Sequence, residues 1–176
     1  MKQLTTLLLL LFSLVASSQT VSMNGIGDIK VGMKRAELEK LTGIKVKLKH
    51  LAKKESDAYR DTMNFTYKDV EYMVTVERSY SEENKNEIAV AEVRSCSPKI
   101  KTKSGVGIGD DKYKVISTYE GYTIHIMPEW EDATYTRKSK TRSTIWLHGD
   151  ETGNVIVFYL ENNKVTAISV TYNEGC

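Results

Sequence analysis

Two stretches of the chain alternate between apolar and polar residues over most of their length. In IKVKLKHL (Ile44–Leu51), Ile44, Val46 and Leu48 lie on one side and Lys45, Lys47 and Lys49 on the other. In GYTIHIM (Gly121–Met127), Tyr122, Ile124 and Ile126 share a side. Period-two alternation predicts half-buried strands of an antiparallel sheet with one exposed face. A hairpin is expected after each stretch, NFTY to VEYMVTV in the first half and TIWLH to VIVFYL in the second. The segment GDETGN (Gly149–Asn154) carries the turn chemistry for the latter. EIAVAEV and KVTAISVTY read as the last strand of each half, and two polar, charged loops interrupt the pattern, Ala52–Thr62 and Pro128–Ser143.

Ahead of each set of strands the period changes. Leu38 and Leu41, followed by Gly43 as a stop signal, predict a short helix. So do Val115, Ile116 and Tyr119, with Asp110 placed to cap it. The two patterns align at one offset: Ile29 falls on Val106, Val31 on Ile108 and Gly32 on Gly109, 77 residues apart. The block IAVAEV (Ile88–Val93) falls on VTAISV (Val165–Val170) at the same offset. Self-similarity at a fixed period predicts a tandem duplication, with each unit a helix plus four antiparallel strands, residues 19–98 and 99–176. The offset also bears on SGVGIGDD, which has the look of a phosphate-cradling loop. Only Gly109 has a counterpart in the first copy, and no parallel βαβ pattern surrounds it. The loop is therefore read as structural.

The first residues, MKQLTTLLLLLFSLVASSQT, have a basic start, a short apolar run and small residues before Gln19. That is the pattern of a secretory signal peptide over residues 1–18, too short to span a membrane. The remainder is expected to be exported, to periplasm or extracellular space, with no membrane span of its own. The charge balance, 25 Lys and Arg against 23 Asp and Glu, lacks the basic excess of a nucleic-acid binder. Cys96 and Cys176 are the only cysteines. Export favours a disulfide between them, closing a loop of roughly 80 residues worth on the order of 4 kcal/mol. Two unpaired thiols are the alternative.

The segment IKVGMKRAELEKLTG, followed by strands and a closing FYLENNKVTAISV, resembles the β-lactamase-inhibitor-protein-like superfamily, which also holds small bacterial envelope-assembly proteins. The resemblance spans about residues 26–172. It implies an α+β fold in which two tandem helix-plus-four-stranded antiparallel units form one curved sheet, and a function in binding another protein. The lipid-anchor cysteine of the assembly lipoproteins is missing here, and no contact residue carries over.

Strand alternation sorts the second half's side chains. Ile156, Phe158, Leu160, Ile168 and Val170 should face the helix, and Trp146, His148, Tyr159, Ser169 and Thr171 the opposite side, with His125 nearby. In the first half that opposite side carries Lys45, Lys47, Lys49, Glu71, Glu77, Glu92 and Arg94. Trp and Tyr bury much area with few torsions to freeze, so Trp146 and Tyr159 are the leading partner contacts. A small second core under the Pro128–Ser143 loop is their other reading. Trp130, in MPEWED, either anchors a partner or tucks into its own domain. Arg137, with Lys138, Lys140 and Arg142, gives a basic tip that would steer an acidic partner or simply be solvated.

No nucleophile elbow, HExxH or P-loop motif occurs. His50, His125 and His148 are the only histidines, short of the three or four ligands of a usual metal site. The expectation is a protein with no catalytic residues, metal or cofactor. It would bind another envelope or secreted protein, as an inhibitor, an immunity-type protein or an envelope-assembly accessory. The alternative is a periplasmic small-molecule or metal-binding domain using His125 and His148.

Overall fold

A computed structural model describes residues 19–46, 60–78, 87–132, 134–149 and 153–173. The leader at 1–18, most of the predicted strand Ile44–Leu51, His50 and Cys176 lie outside these residues. In chain order the strands are β1 (Gln19–Ser22), β2 (Gly25–Ile26), β3 (Ile29–Lys30), β4 (Arg60–Tyr67), β5 (Val70–Arg78), β6 (Ile88–Ser95), β7 (Ile100–Thr102), β8 (Ile124–Trp130), β9 (Lys138–His148), β10 (Asn154–Glu161) and β11 (Lys164–Tyr172). Helix α1 (Arg35–Thr42) lies between β3 and β4, and α2 (Lys112–Thr118) between β7 and β8.

The protein is not an α+β pair of helix-plus-four-strand units forming one curved sheet. It is mainly β: the described residues form two short helices and two sheets, one of four strands in the order β3-β2-β1-β7 and one of seven in the order β4-β5-β6-β11-β10-β9-β8. The small sheet is what sequence patterning missed. Its strands run two to four residues, too short to show a period. One of its pairings, β1 with β7, is parallel and joins residues about 80 apart in the chain. The segment Pro128–Ser143 is not a loop either, because β8 runs to Trp130 and β9 begins at Lys138.

The large sheet is antiparallel throughout, and two-residue turns at Lys68–Asp69 and Asn162–Asn163 close the hairpins β4–β5 and β10–β11. All four turn residues have positive φ, between 48° and 61°, the conformation whose twist matches that of the flanking strands. One face of this sheet carries Val70, Tyr72, Val74, Val93, Ile145, Leu147, Ile156, Phe158, Leu160, Ile168 and Val170, all buried. They form a single core with Val21, Ile26, Ile29 and Ile100 of the small sheet and with Leu38, Val115 and Tyr119 of the helical segments. The helices and small sheet therefore cover the same side of the large sheet.

Local geometry recurs around the two helices. The amide of Gly32 donates to the Val90 carbonyl at 2.7 Å, and Val90 returns a bond to Met33 at 2.9 Å. Likewise Gly109 donates to Val165 and Val165 to Asp110, each at 2.8 Å. β6 and β11 also bulge at matching places. Ala91 is the extra residue between the pairs Thr75–Glu92 and Val76–Val90, and Thr166 the extra residue between Tyr159–Ala167 and Leu160–Val165. The glycine–helix segments keep the offset of 77, whereas Val90 matches Val165 and Ala91 matches Thr166, an offset of 75. A two-residue slip leaves every strand side chain on its own face, so apolar patterning is blind to it. The loop Gly105–Gly109 is spent internally, with Gly105 N–H on Thr102 O at 2.9 Å and Gly107 N–H on the Asp110 carboxylate at 2.7 Å.

Candidate binding face

The other face of the large sheet is crossed by continuous rows of paired residues. One row runs Asn64, Met73, Arg94, Ser169, Val157, Trp146, His125, one residue from each of the seven strands. The next runs Thr62, Thr75, Glu92, Thr171, Val155, His148. At the middle of the face Val155, Val157 and Ser169 are buried, while Met73 keeps 39% of its surface exposed and His125 is exposed. The alternation that buries Tyr72 and Val74 turns Met73 outward, a signal available in VEYMVTV that sequence reasoning passed over.

The charged and aromatic halves of this face meet at one contact. The Arg94 guanidinium lies 3.8 Å from the centre of the Tyr159 ring, a stacked cation–π arrangement. Tyr159 Oη sits 3.4 Å from Ser169 Oγ, and burial pushes its phenol above the usual tyrosine range. Arg94 Nε is buried without a hydrogen-bond partner. Beside the stack is a groove of about 490 Å³ lined by Asn64, Thr66, Glu71, Met73, Arg94 and Cys96, among others. Trp146 is half-buried, its Nε1–H donating to Thr144 Oγ1 two residues back along β9 at 3.0 Å. At the far edge the rings of His125 and His148 are 4.6 Å apart, and His148 Nδ1 lies 3.4 Å from the Asn173 carboxamide nitrogen.

The structure thus brings together Trp146, Tyr159, His148, His125, Glu71, Glu92 and Arg94. Lys45 does not join them. Its ammonium is 3.1 Å from Glu39 of α1, and Lys47 and Lys49 lie outside the described residues. Trp130 and Arg137 flank the outer end of the β8–β9 hairpin, past an irregularity in pairing between Pro128 and Trp130. Trp130 packs edge-on against Tyr135 at 6.0 Å, with the Lys138 ammonium 5.4 Å from its ring, and remains 39% exposed. Arg137 pairs with Glu131, and Arg142 with Glu129 at 3.6 Å. Half of the expected basic tip is therefore neutralised by its own hairpin.

Cys96 follows β6 and is exposed. Ser95 stands opposite Ile168, so Cys96 lies towards the start of β11, whereas Asn173 follows its end; Cys176 is beyond the described residues. Among those residues no group of three or more His, Cys, Asp or Glu is arranged to hold a metal ion, and no helix is long and apolar enough to cross a membrane. No protein-family model, curated protein or solved structure matches this chain.

Proposed function

We propose that this is an exported, non-catalytic module that binds another envelope or secreted protein on the uncovered face of its large sheet. The observation that carries the reading is the asymmetry of that sheet. Among the described residues, the helices and the small sheet all pack on one side. The other side of the seven strands carries Trp146, the Arg94–Tyr159 stack and the exposed Met73. Half-buried aromatic and Arg side chains held in place by their neighbours are the residues that dominate binding energy at protein interfaces. A hydrogen-bonded sheet presents them with little conformational entropy left to lose. The resemblance noted in the sequence points to the same class of activity, and the leader at its start to the compartment. Inhibition, immunity or envelope assembly would each follow from occluding or holding a partner on this face.

The test is affinity capture from the envelope and secreted fractions of the source organism. Wild type is run beside a Trp146→Ala, Tyr159→Ala variant whose circular dichroism and melting are unchanged. We expect a partner retained by wild type and lost by the variant. A partner held equally by both would place the interface elsewhere and overturn the reading.

A further inference from the structure

We infer that His125 and His148 form a two-imidazole site for a divalent transition ion of the copper(II) class, at the β8 edge of the open face. This inference does not depend on the protein-binding reading. Three observations carry it. The first is spacing. A metal–nitrogen bond of about 2.0 Å, plus about 1.1 Å from nitrogen to ring centre, sets imidazole ring centres about 4.4 Å apart at a 90° ligand angle and about 5.1 Å apart at a tetrahedral one. The observed separation is 4.6 Å, nearer the right-angled arrangement that copper(II) and nickel(II) adopt with nitrogen donors. The second is an orphan: His148 Nε2 is buried with no hydrogen-bond partner. Such a nitrogen is costly to leave unmatched, and bonding to a cation would satisfy it.

The third observation is the group on the other side of the same ring. Histidines that bind metal through one nitrogen donate the second nitrogen's hydrogen to a carbonyl or carboxylate, which fixes the tautomer. The Asn173 carboxamide stands 3.4 Å from His148 Nδ1. Turned to present Oδ1, it accepts from Nδ1–H and leaves the Nε2 lone pair free for the metal. His125 is exposed, so its ring is free to adjust and the remaining coordination positions open to water. The sheet supplies the rigidity. His125 pairs with Trp146 and His148 with Val155 across the ladder, so the two backbones are held on adjacent strands two residues apart in register.

The experiment is calorimetric titration of the purified protein with Cu²⁺, presented as its glycine complex to suppress binding by amines and backbone, together with electron paramagnetic resonance of the one-equivalent sample. We expect one ion per chain and a spectrum showing two imidazole nitrogens. His125→Asn and His148→Asn should each weaken binding at least about tenfold and remove one nitrogen from the spectrum. Asn173→Ala should weaken it about tenfold, while Asn173→Asp, a better acceptor for Nδ1–H, should bind at least as tightly as wild type. His125 lies on the edge strand and His148 is the last residue of β9, and melting curves confirm that each variant is folded. Affinity unchanged in the double histidine variant would overturn the site. So would the absence of a stoichiometric ion at about 1 mM Cu²⁺. Tighter binding of Zn²⁺ than of Cu²⁺ would overturn the right-angled geometry assigned to it.

Discussion

Glu39 shows how far single side chains define this molecule. Its carboxylate accepts from the Val46 amide at 3.0 Å and from Lys45 and Arg35 at 3.1 Å, pinning the chain that leaves α1. The Val46 amide, then Lys45 and Arg35, hold its acid at about 2 against an ordinary 4.5. A depressed carboxylate contributes above its unfolded value and loses that contribution as pH falls towards the folded one. Hydrogen exchange at the Val46 amide should therefore accelerate between about pH 4.5 and 2, relative to amides bonded within β5; an unaltered ratio would contradict the assignment. Glycines divide in a similar way. A Cβ on Gly43, at φ 72°, meets nothing within 4 Å, whereas at Gly25, φ 150°, it meets the Ile29 carbonyl and comes within 2.8 Å of Lys30 Cα. Gly43→Ala should cost about 1 kcal/mol from the left-handed backbone alone. Gly25→Ala should cost more than about 2 kcal/mol, the two compared by urea unfolding. Neither distinction is legible in the sequence, because both depend on what the chain returns to touch.

At the scale of elements, local signals were readable and their partners were not. The apolar stripes Leu38–Leu41 and Val115–Tyr119 do mark α1 and α2. The cap of α2, however, is Asp111 rather than Asp110: Asp111 Oδ1 accepts from the amides of Tyr113 at 2.8 Å and Lys114 at 3.3 Å. Asp110 instead holds Gly107 and the Lys114 ammonium. Two adjacent aspartates are equivalent to a propensity argument, and only the entry angle of the chain separates them. Asp111→Ala should destabilise the protein by about 1 kcal/mol, read from the urea midpoint at constant slope. For strands, alternation placed the inward and outward residues of β9, β10 and β11 on their observed faces. It could not see that β8 and β9 continue through the charged segment around Pro128, where pairing shifts and exposed residues break the period. Nor could it count the two-residue slip between the recurring strands, for the reason given by their own periodicity.

At the scale of the molecule, the described residues share one core on one side of the large sheet. Residues from both sheets and both helices share that core, so heat or urea should unfold it in a single transition. The short β1 is tied into it by Val21, 2% exposed, and by the parallel ladder to β7. Val21→Ala should lower stability by about 2 kcal/mol without splitting the transition; a separate early phase would show that the small sheet folds independently. The opposite face was half-legible. Its charged and aromatic members follow from alternation, but the Arg94–Tyr159 stack arises only when β6 and β11 pair across about 75 residues of chain, and the groove beside Met73 only when β4, β5 and β6 lie side by side. The β6–β11 pairing makes the face continuous, and the face is the centre of the functional account. The decisive measurement is the affinity of a captured partner for two single variants at exposed positions. Met73→Glu places a charge on the open face, and Tyr113→Glu places the same charge on α2, on the covered side. We expect Met73→Glu to weaken binding at least about tenfold and Tyr113→Glu to leave it unchanged; the reverse pattern, or equal effects, would contradict the assignment of the open face as the binding surface.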